Sequence, residues 1–450
     1  MGIIVPVYPN WAGAVLGTVR AVARDVLHDV GADAIAAGSA RGRSEAEIRA
    51  LYQPIVDLET GAVLGYEALA RGPEGTPLES PLALLDDARR TGRLRDVDWQ
   101  CRVAALEGAL DADMGSSLTL FINVAADCDD PLEVVPAVHD AVIERANREL
   151  RVVLEVTEQA IVERPASLLR LVDWARSRSW GIALDDIGAD PDSLAIMPFL
   201  EPDVVKLDLR LVHEQSSPDV GNLVSAVLAQ AERTGAQIVA EGIESEAHKS
   251  TALALGATLG QGWLFGRPAA LPHPLPTPPR AIELQRLPPD GNEVTPFSIV
   301  RAARPLRRGA KQLLVDLSSH LEEQAVSWHD NPVIISTFGP DEPLLDEFLA
   351  RYAVLASQGS FVAVIGAAVP EQVERTRGRI AGGVHTVALD DGHRLGEEWS
   401  VIVVGPHYAG ALVARQVDDD VYDFAVTHDR RLTVEAGRSL LRRLDDGRTD

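Results

Sequence analysis

The stretch Gly181-Ile-Ala-Leu-Asp-Asp-Ile-Gly188, "GIALDDIG", decides how the rest of the chain is read. Its apolar run has the length and composition of a buried strand. It ends in two adjacent carboxylates, Asp185 and Asp186, which repel each other and resist desolvation. A solvated loop would explain such a pair, and so would a bound cation. The neighbouring runs discriminate between the two.

Similar runs recur between residues 45 and 266: "AVLGYEALA", "SLTLFINVA", "RVVLEVTE", "DVVKLDL", "AQIVAEGIE" and a weaker "GATLGQGWLFG". Stretches of helical spacing that end in glycine, such as "GNLVSAVLAQAERTG", lie between them. Strand–helix alternation predicts a parallel sheet with helices outside, and the number of units points to a (β/α)8 barrel. The runs end in Glu67, Asn123, Glu155, Asp185 with Asp186, Lys206, Glu241 and Gln261. In a barrel the carboxyl ends of the strands meet on one face, so these side chains are expected to converge there.

The set is rich in oxygen donors and has neither Cys nor His, which suits Mg2+ or Mn2+. Five carboxylates exceed the need of one divalent ion and suggest two, about 3.5–4 Å apart, with Asp185 bridging and Asp186 ligating one of them. Lysine occurs only at Lys206, Lys249 and Lys311 in an arginine-rich chain. Lys206 supplies a compact ammonium with an adjustable pKa, able to orient or help deprotonate an attacking water. Asp208, two residues further along, is expected to steady it.

Composition sets the outer limits. The chain has 450 residues, room for a barrel and a partner domain. The net charge of −25 argues against a general nucleic-acid or membrane-surface binder. Cys101 and Cys128 imply no disulfide framework and fit a reducing cytoplasm. No segment has the length of a membrane span. The proline-rich stretch from about 267 to 296 reads as an extended linker, dividing an N-terminal extension (1–44) and barrel (45–269) from a C-terminal domain (297–445). In that domain "NPVIISTFG", "GSFVAVIGAAVP", "GVHTVALD", "EWSVIVVGPHYAGALVARQV" and "YDFAVTHD" read as strands, and "PDEPLLDEFLARYAVLASQ" and "LTVEAGRSLLRRL" as helices. This predicts an α/β or α+β domain on a mixed or antiparallel sheet. The pair His329 and Asp330 reads as a structural hydrogen bond.

With these motifs in view, the N-terminal part resembles the EAL-domain cyclic di-GMP phosphodiesterases. The resemblance rests on "YQPIVDLETGAVLGYEALAR", with Glu67-Ala68-Leu69, and on "FINVA", "LEVTE", "LDDIG", "VVKLD", "AEGIE" and "GATLGQGWLFGRP", in that order. It implies a TIM-like barrel whose first strand is antiparallel, and hydrolysis of cyclic di-GMP to linear pGpG with two Mg2+ or Mn2+ ions. It implies Glu67, Asn123, Glu155, Asp185, Asp186 and Glu241 as metal ligands, and catalytic roles for Lys206, Glu67 and Glu241, with Lys206 acting on the attacking water. Gln53, Arg71 and Gln261 would contact substrate, and Glu158 would steady the loop after Asp186. A homodimer through the barrel is also implied. The C-terminal part resembles the DICT sensory domain, which implies regulation by a small-molecule or protein signal. The bland readings are a strand-end hydrogen bonder for Gln53, a cap for Asn123 and helix-start carboxylates for Glu158 and Glu244.

The double aspartate of that family usually continues as Asp-Phe-Gly-Thr-Gly-Tyr-Ser-Ser-Leu. Here "DIGADPDSL" keeps Gly188, Ser193 and Leu194 but carries Ala189, Asp190, Pro191 and Asp192 between them. The alternative to an active enzyme is therefore a weak or inactive cyclic di-GMP receptor that acts through protein interaction.

Overall fold

The computed structural model describes residues 48–125, 139–157, 165–187, 194, 196–213, 218–285, 294–327, 332–338, 345–357, 360–366, 383–389 and 392–444. The N-terminal extension, Glu158, the substituted loop 188–193, Cys128 and the pair His329 and Asp330 lie outside these residues.

Eight strands close a barrel in sequence order. They are β1 (Arg49–Asp57), β2 (Val63–Arg71), β3 (Thr119–Asn123), β4 (Arg151–Thr157), β5 (Gly181–Ile187), β6 (Val204–Leu207), β7 (Gln237–Ala240) and β8 (Leu259–Gln261). β1 is antiparallel to both neighbours, β2 and β8, and the remaining pairs are parallel. Period-two alternation sorts each strand's side chains. Inward, Ile55, Leu64, Phe121, Val153, Ala183, Val204, Val239 and Leu259 form an apolar plug. Outward residues such as Leu120, Leu154 and Leu184 pack in the surrounding core. The helices of this part are α1 (Pro81–Arg90), α2 (Leu94–Asp111), α3 (Asp140–Glu149), α4 (Pro165–Ser177), α5 (Met197–Leu200), α6 (Leu209–His213), α7 (Pro218–Thr234) and α8 (Glu246–Ala254).

The C-terminal part adds α9 (Pro296–Ala303), β9 (Arg307–Ala310), α10 (Lys311–Ser327), β10 (Val333–Phe338), α11 (Leu345–Ser357), β11 (Phe361–Gly366), β12 (Val384–Ala388), β13 (Glu398–Val404), β14 (Ala409–Asp418), β15 (Val421–Thr427) and α12 (Arg430–Leu441). Its sheet has the order β12-β11-β10-β13-β14-β15-β9. The sheet is mixed: β10, β11 and β12 are parallel to one another, and the other pairs are antiparallel. The run "EWSVIVVGPHYAGALVARQV" is two strands rather than one. Residues 405–408 turn the chain, Gly405 donates its N–H to Tyr408 O, and β13 pairs back on β14. The edge strand β9, Arg307-Arg-Gly-Ala310, is mostly exposed and has no apolar pattern for a sequence reading to find.

The proline-rich stretch is not a free spacer. Ile282 is fully buried among the inward residues of the barrel, with Leu284 against the same group. Arg151 donates to Ile282 O, and Arg176 to Gln285 O. Buried Asp203 accepts hydrogen bonds from Gln285 N, Ile182 N and Arg176 Nη1. The stretch therefore stoppers the amino-terminal end of the barrel, because the strand ends there would otherwise expose apolar side chains. Beyond it, Val333, Ile335, Ile402 and Val413 of the second sheet and Val434, Leu440 and Leu441 of α12 belong to the same continuous apolar cluster as the barrel's outer shell. The barrel and the C-terminal part form one compact unit over 47–450.

Two stability outcomes follow. Ile282→Ala should cost about 2–5 kcal/mol, as large-to-small changes in closed cores do. A barrel fragment ending at 269 should melt well below one ending at 287, because it loses the stopper and leaves buried Asp203 and Arg176 short of a partner. Thermal unfolding of the two fragments checks this, and equal melting temperatures would refute it.

Candidate functional site

Every barrel strand carries one polar side chain a single pleat repeat above the apolar plug. Asn123 follows Phe121, Glu155 follows Val153, Asp185 follows Ala183, Lys206 follows Val204, Glu241 follows Val239 and Gln261 follows Leu259, each by two residues. On β2, Glu67 stands two residues past Gly65. On antiparallel β1 the order reverses, and Gln53 precedes Ile55. Two residues of strand span about 6.6 Å, so the polar residues form one layer on the apolar floor.

Lys206 sits at the centre of this layer and is fully buried. Its Nζ lies 2.7 Å from Glu241, 2.8 Å from Glu155, 3.1 Å from Asp185 and 3.5 Å from Glu67. Burial alone would favour the neutral amine, but the four carboxylates outweigh it and hold the ammonium well above the usual lysine range. Asp208 does not steady Lys206. Its Oδ1 accepts from Arg210 N and Nε instead, because the chain leaves β6 at Leu207.

Besides Lys206, two side-chain amides hold Glu67. Asn123 Nδ2 donates to Oε1 at 2.7 Å, and Gln261 Nε2 donates to Oε2 at 2.6 Å. Burial would raise its pKa, but Lys206 and these amides hold it below the usual range. Gln261 also donates to Gln53 Oε1, and Gln53 donates to Gly266 O. The two glutamines thus orient Glu67 while lining the opening above it. Arg71 stands apart at the rim, where its Nη1 donates to Ala70 O at 2.8 Å.

The backbone explains why two adjacent aspartates serve one site. Successive strand residues normally face opposite sides. Here the β5–β6 register shifts between Leu184 and Ile187, and Asp186 adopts φ 58°. This bulge and left-handed residue bring Asp186 back to the side of Asp185. Carboxylate oxygens of Asp185, Asp186 and Glu241 come within 4.8 Å of one another.

The donor set fits divalent cations. Five carboxylates face one ammonium, and Glu155 Oε2 is buried with no hydrogen-bond donor. Burial and then repulsion from Glu67 push Glu155 well above the carboxylate range. Burial is also the main cause that pushes Glu241 up to about 8 and Asp186 to about 6, with Asp185 adding repulsion to both. The side chains are thus set for more positive charge than Lys206 supplies. Asp185, Asp186 and Glu241 bring carboxylate oxygens close enough to share a cation, and Glu67, Asn123 and Glu155 stand in the same polar layer.

A pocket of about 280 Å³ opens above this layer between Gln53, Glu67, Glu241, Glu244, Gln261 and Trp263. Trp263 is half exposed, with the Arg267 guanidinium 3.9 Å from its ring centroid. The rings of His213 and His248 lie beside the pocket with centroids 3.9 Å apart and planes tilted by 37°, and His213 Nε2 lies 2.7 Å from Gly242 O. Sequence reading singles out neither histidine, because they lie on different helices and share no motif. Trp263 lies inside a quoted motif, but only its exposure distinguishes it from a core residue.

The family model for the EAL domain matches residues 39–268. The chain belongs to the EAL-domain family. The model named Sensory domain in DIguanylate Cyclases and Two-component system, DICT, matches residues 300–417. The EAL part is 30% identical over 239 residues to the cyclic di-GMP phosphodiesterase RocR of Pseudomonas aeruginosa, covering 52% of this chain and 60% of that protein. It is 29% identical over 221 residues to the bifunctional diguanylate cyclase/cyclic di-GMP phosphodiesterase MucR of the same organism, covering 48% of this chain and 32% of MucR. The chain thus spans less than two thirds of these relatives. The solved PaMucR phosphodiesterase complex with c-di-GMP is 27% identical, with a TM-score of 0.43, over 50% of this chain and 92% of that one. Among the described residues, no helix is long and apolar enough to cross a membrane.

The EAL barrel's central lysine yields a stability test. Lys206→Met should lower the stability of the metal-free protein by about 3–5 kcal/mol, since it strands four carboxylates around a vacated charge. Mn2+ should restore more of that loss than it adds to the wild type. Calorimetry with and without Mn2+ measures both, and equal Mn2+ effects would contradict this account.

Proposed function

We propose that this EAL-family chain hydrolyses cyclic di-GMP to linear pGpG, using two Mg2+ or Mn2+ ions held by the polar layer. The supporting observation is the surplus of buried carboxylates around Lys206, with Glu155 Oε2 left without a donor. When bound, the ions supply Lewis-acid polarisation of the phosphate and activation of water. The chain supplies the frame. Asn123 and Gln261 fix both oxygens of Glu67, and the bulge at Asp186 aims it with Asp185 and Glu241.

Lys206, whose Nζ lies 2.7–3.1 Å from Glu241, Glu155 and Asp185, is assigned to the water nucleophile, which it would orient from the floor of the site. Gln53, Gln261 and the rim residue Arg71 are assigned to substrate. The DICT domain is assigned a regulatory role responding to a small-molecule or protein signal, and the barrel a homodimer contact. Glu158 is assigned to the loop after Asp186. A second reading, a cyclic di-GMP receptor with little turnover, is favoured by one observation: the residues Ala189-Asp-Pro-Asp192 after the ligands.

Purified protein with Mn2+ and cyclic di-GMP should yield pGpG by chromatography, and exhaustive chelation should abolish it. Mn2+ at a hundred times Kd should add about 2.7 kcal/mol to stability for each ion bound. Asp185→Asn should remove most of that gain. Lys206→Ala should lower kcat by about 10²–10⁴-fold while cyclic di-GMP still binds. Lys206→Arg should not rescue it, because a planar guanidinium does not fit a pocket closed around an ammonium. Binding without pGpG in the wild type would establish the receptor reading instead.

A further inference from the structure

The C-terminal part touches the barrel at the connection that joins two of the proposed ligands to the lysine. β5 carries Asp185 and Asp186, β6 carries Lys206, and α5 with residues 201–203 lies between them. α12 packs on α5. Gly437 faces the Phe199 ring so closely that a Cβ there would stand 2.6 Å from Cε1, a distance real side chains do not tolerate. The next residue, Arg438, turns its guanidinium onto the end of α5. Its Nε donates to Phe199 O at 2.8 Å, and its Nη1 lies 3.4 Å from Glu201 Oε2. Carbonyls at a helix end lack intrahelical donors, so an arginine there satisfies what the helix cannot.

The contacts continue inward. Glu201 leaves α5 in the left-handed conformation, φ 47°, and its carbonyl accepts from Arg176 Nη2 at 2.8 Å. Arg176 Nη1 bonds Asp203 Oδ2 at 2.6 Å, and the same oxygen accepts from Ile182 N at 2.7 Å. Ile182 is at the start of β5, and Asp203 immediately precedes β6. A second anchor reaches α4 rather than α5: Arg442 Nη2 bonds Asp173 at 2.9 Å, three residues before Arg176 on the same helix, a bond that leaves out the end of α5 and residues 201–203.

We propose that Arg438 is a positioning residue for the barrel's site, so that the sensory domain supplies part of the active arrangement. Arg438 fixes the end of α5, and through Glu201, Arg176 and Asp203 it sets the placement of β5 against β6, hence of Asp185 and Asp186 against Lys206. The inference rests on the phosphodiesterase reading for its catalytic consequence and on geometry for its mechanical one. Adjacency alone does not establish coupling, so the test compares two anchors of the same helix.

The experiment uses the full chain and four variants. Arg438→Ala should lower kcat by about tenfold with KM for cyclic di-GMP within about twofold, and weaken Mn2+ binding several-fold. Amide hydrogen exchange in 197–207 should quicken while β2–β4 stay protected. Arg438→Lys should recover part of the loss, since an ammonium can still reach one acceptor. Arg442→Ala should leave kcat and Mn2+ affinity near wild type. If Arg438→Ala does not fold, Gly437→Ala, which pushes α12 off Phe199, replaces it with the same expectations. Unchanged kcat and Mn2+ affinity in Arg438→Ala, or equal losses in Arg442→Ala, would overturn the proposal. A wild type without turnover would remove the phosphodiesterase reading alone. Mn2+ affinity and exchange would then decide, with weaker Mn2+ binding and faster exchange in 197–207 in Arg438→Ala alone supporting the positioning role.

Discussion

The ammonium of Lys206 buried against four carboxylates is the interaction on which the site depends. An isolated buried charge costs several kcal/mol, and a cluster of like charges costs more. Lys206 offsets the repulsion among Glu67, Glu155, Asp185 and Glu241 without filling their coordination. The barrel can therefore fold around an acid cluster that still favours cations. A residue with a permanently charged planar head would meet the same carboxylates with different geometry, and this accounts for a lysine here in a chain that mostly uses arginine.

The apolar plug beneath gives the layer its shape. Inward side chains from the eight strands form a floor that excludes water from below, so charges above it interact in a poorer dielectric. Ile282 completes the floor from outside the barrel's own strands. Within the described residues 267–285, this stretch closes one end of the barrel. Prolines suit that task, since a stopper requires a fixed path without sheet or helix partners.

The apolar cluster runs without a break from the barrel's outer shell through α12 to one face of the C-terminal sheet. A sensory domain joined by a flexible tether communicates by collision or by local concentration. One joined by a shared core communicates through packing, because close-packed interfaces shift between discrete arrangements rather than deform smoothly. α12 packs on the connection between β5 and β6, the contact on which the proposed coupling rests.

The barrel was legible from the sequence because two local signals coincide in it. Strand periodicity is set by the backbone, and the residue that ends each run is set by the chemistry of one face. Glu67, Asn123, Glu155, Asp185, Lys206, Glu241 and Gln261 could therefore be selected before any coordinates. The antiparallel first strand was legible only through resemblance, since pairing direction leaves no mark on a single strand. Other features required the tertiary structure. The side that Asp186 faces depends on a bulge against β6. The engagement of Asp208 by Arg210 depends on where β6 ends. The role of Ile282 and the contact of Arg438 with Phe199 join residues far apart in the chain. A sequence records which groups are available at each position. Distance and burial between remote positions arise only when the chain closes on itself, and those two quantities fix the charge on Lys206 and the seat of the C-terminal helix.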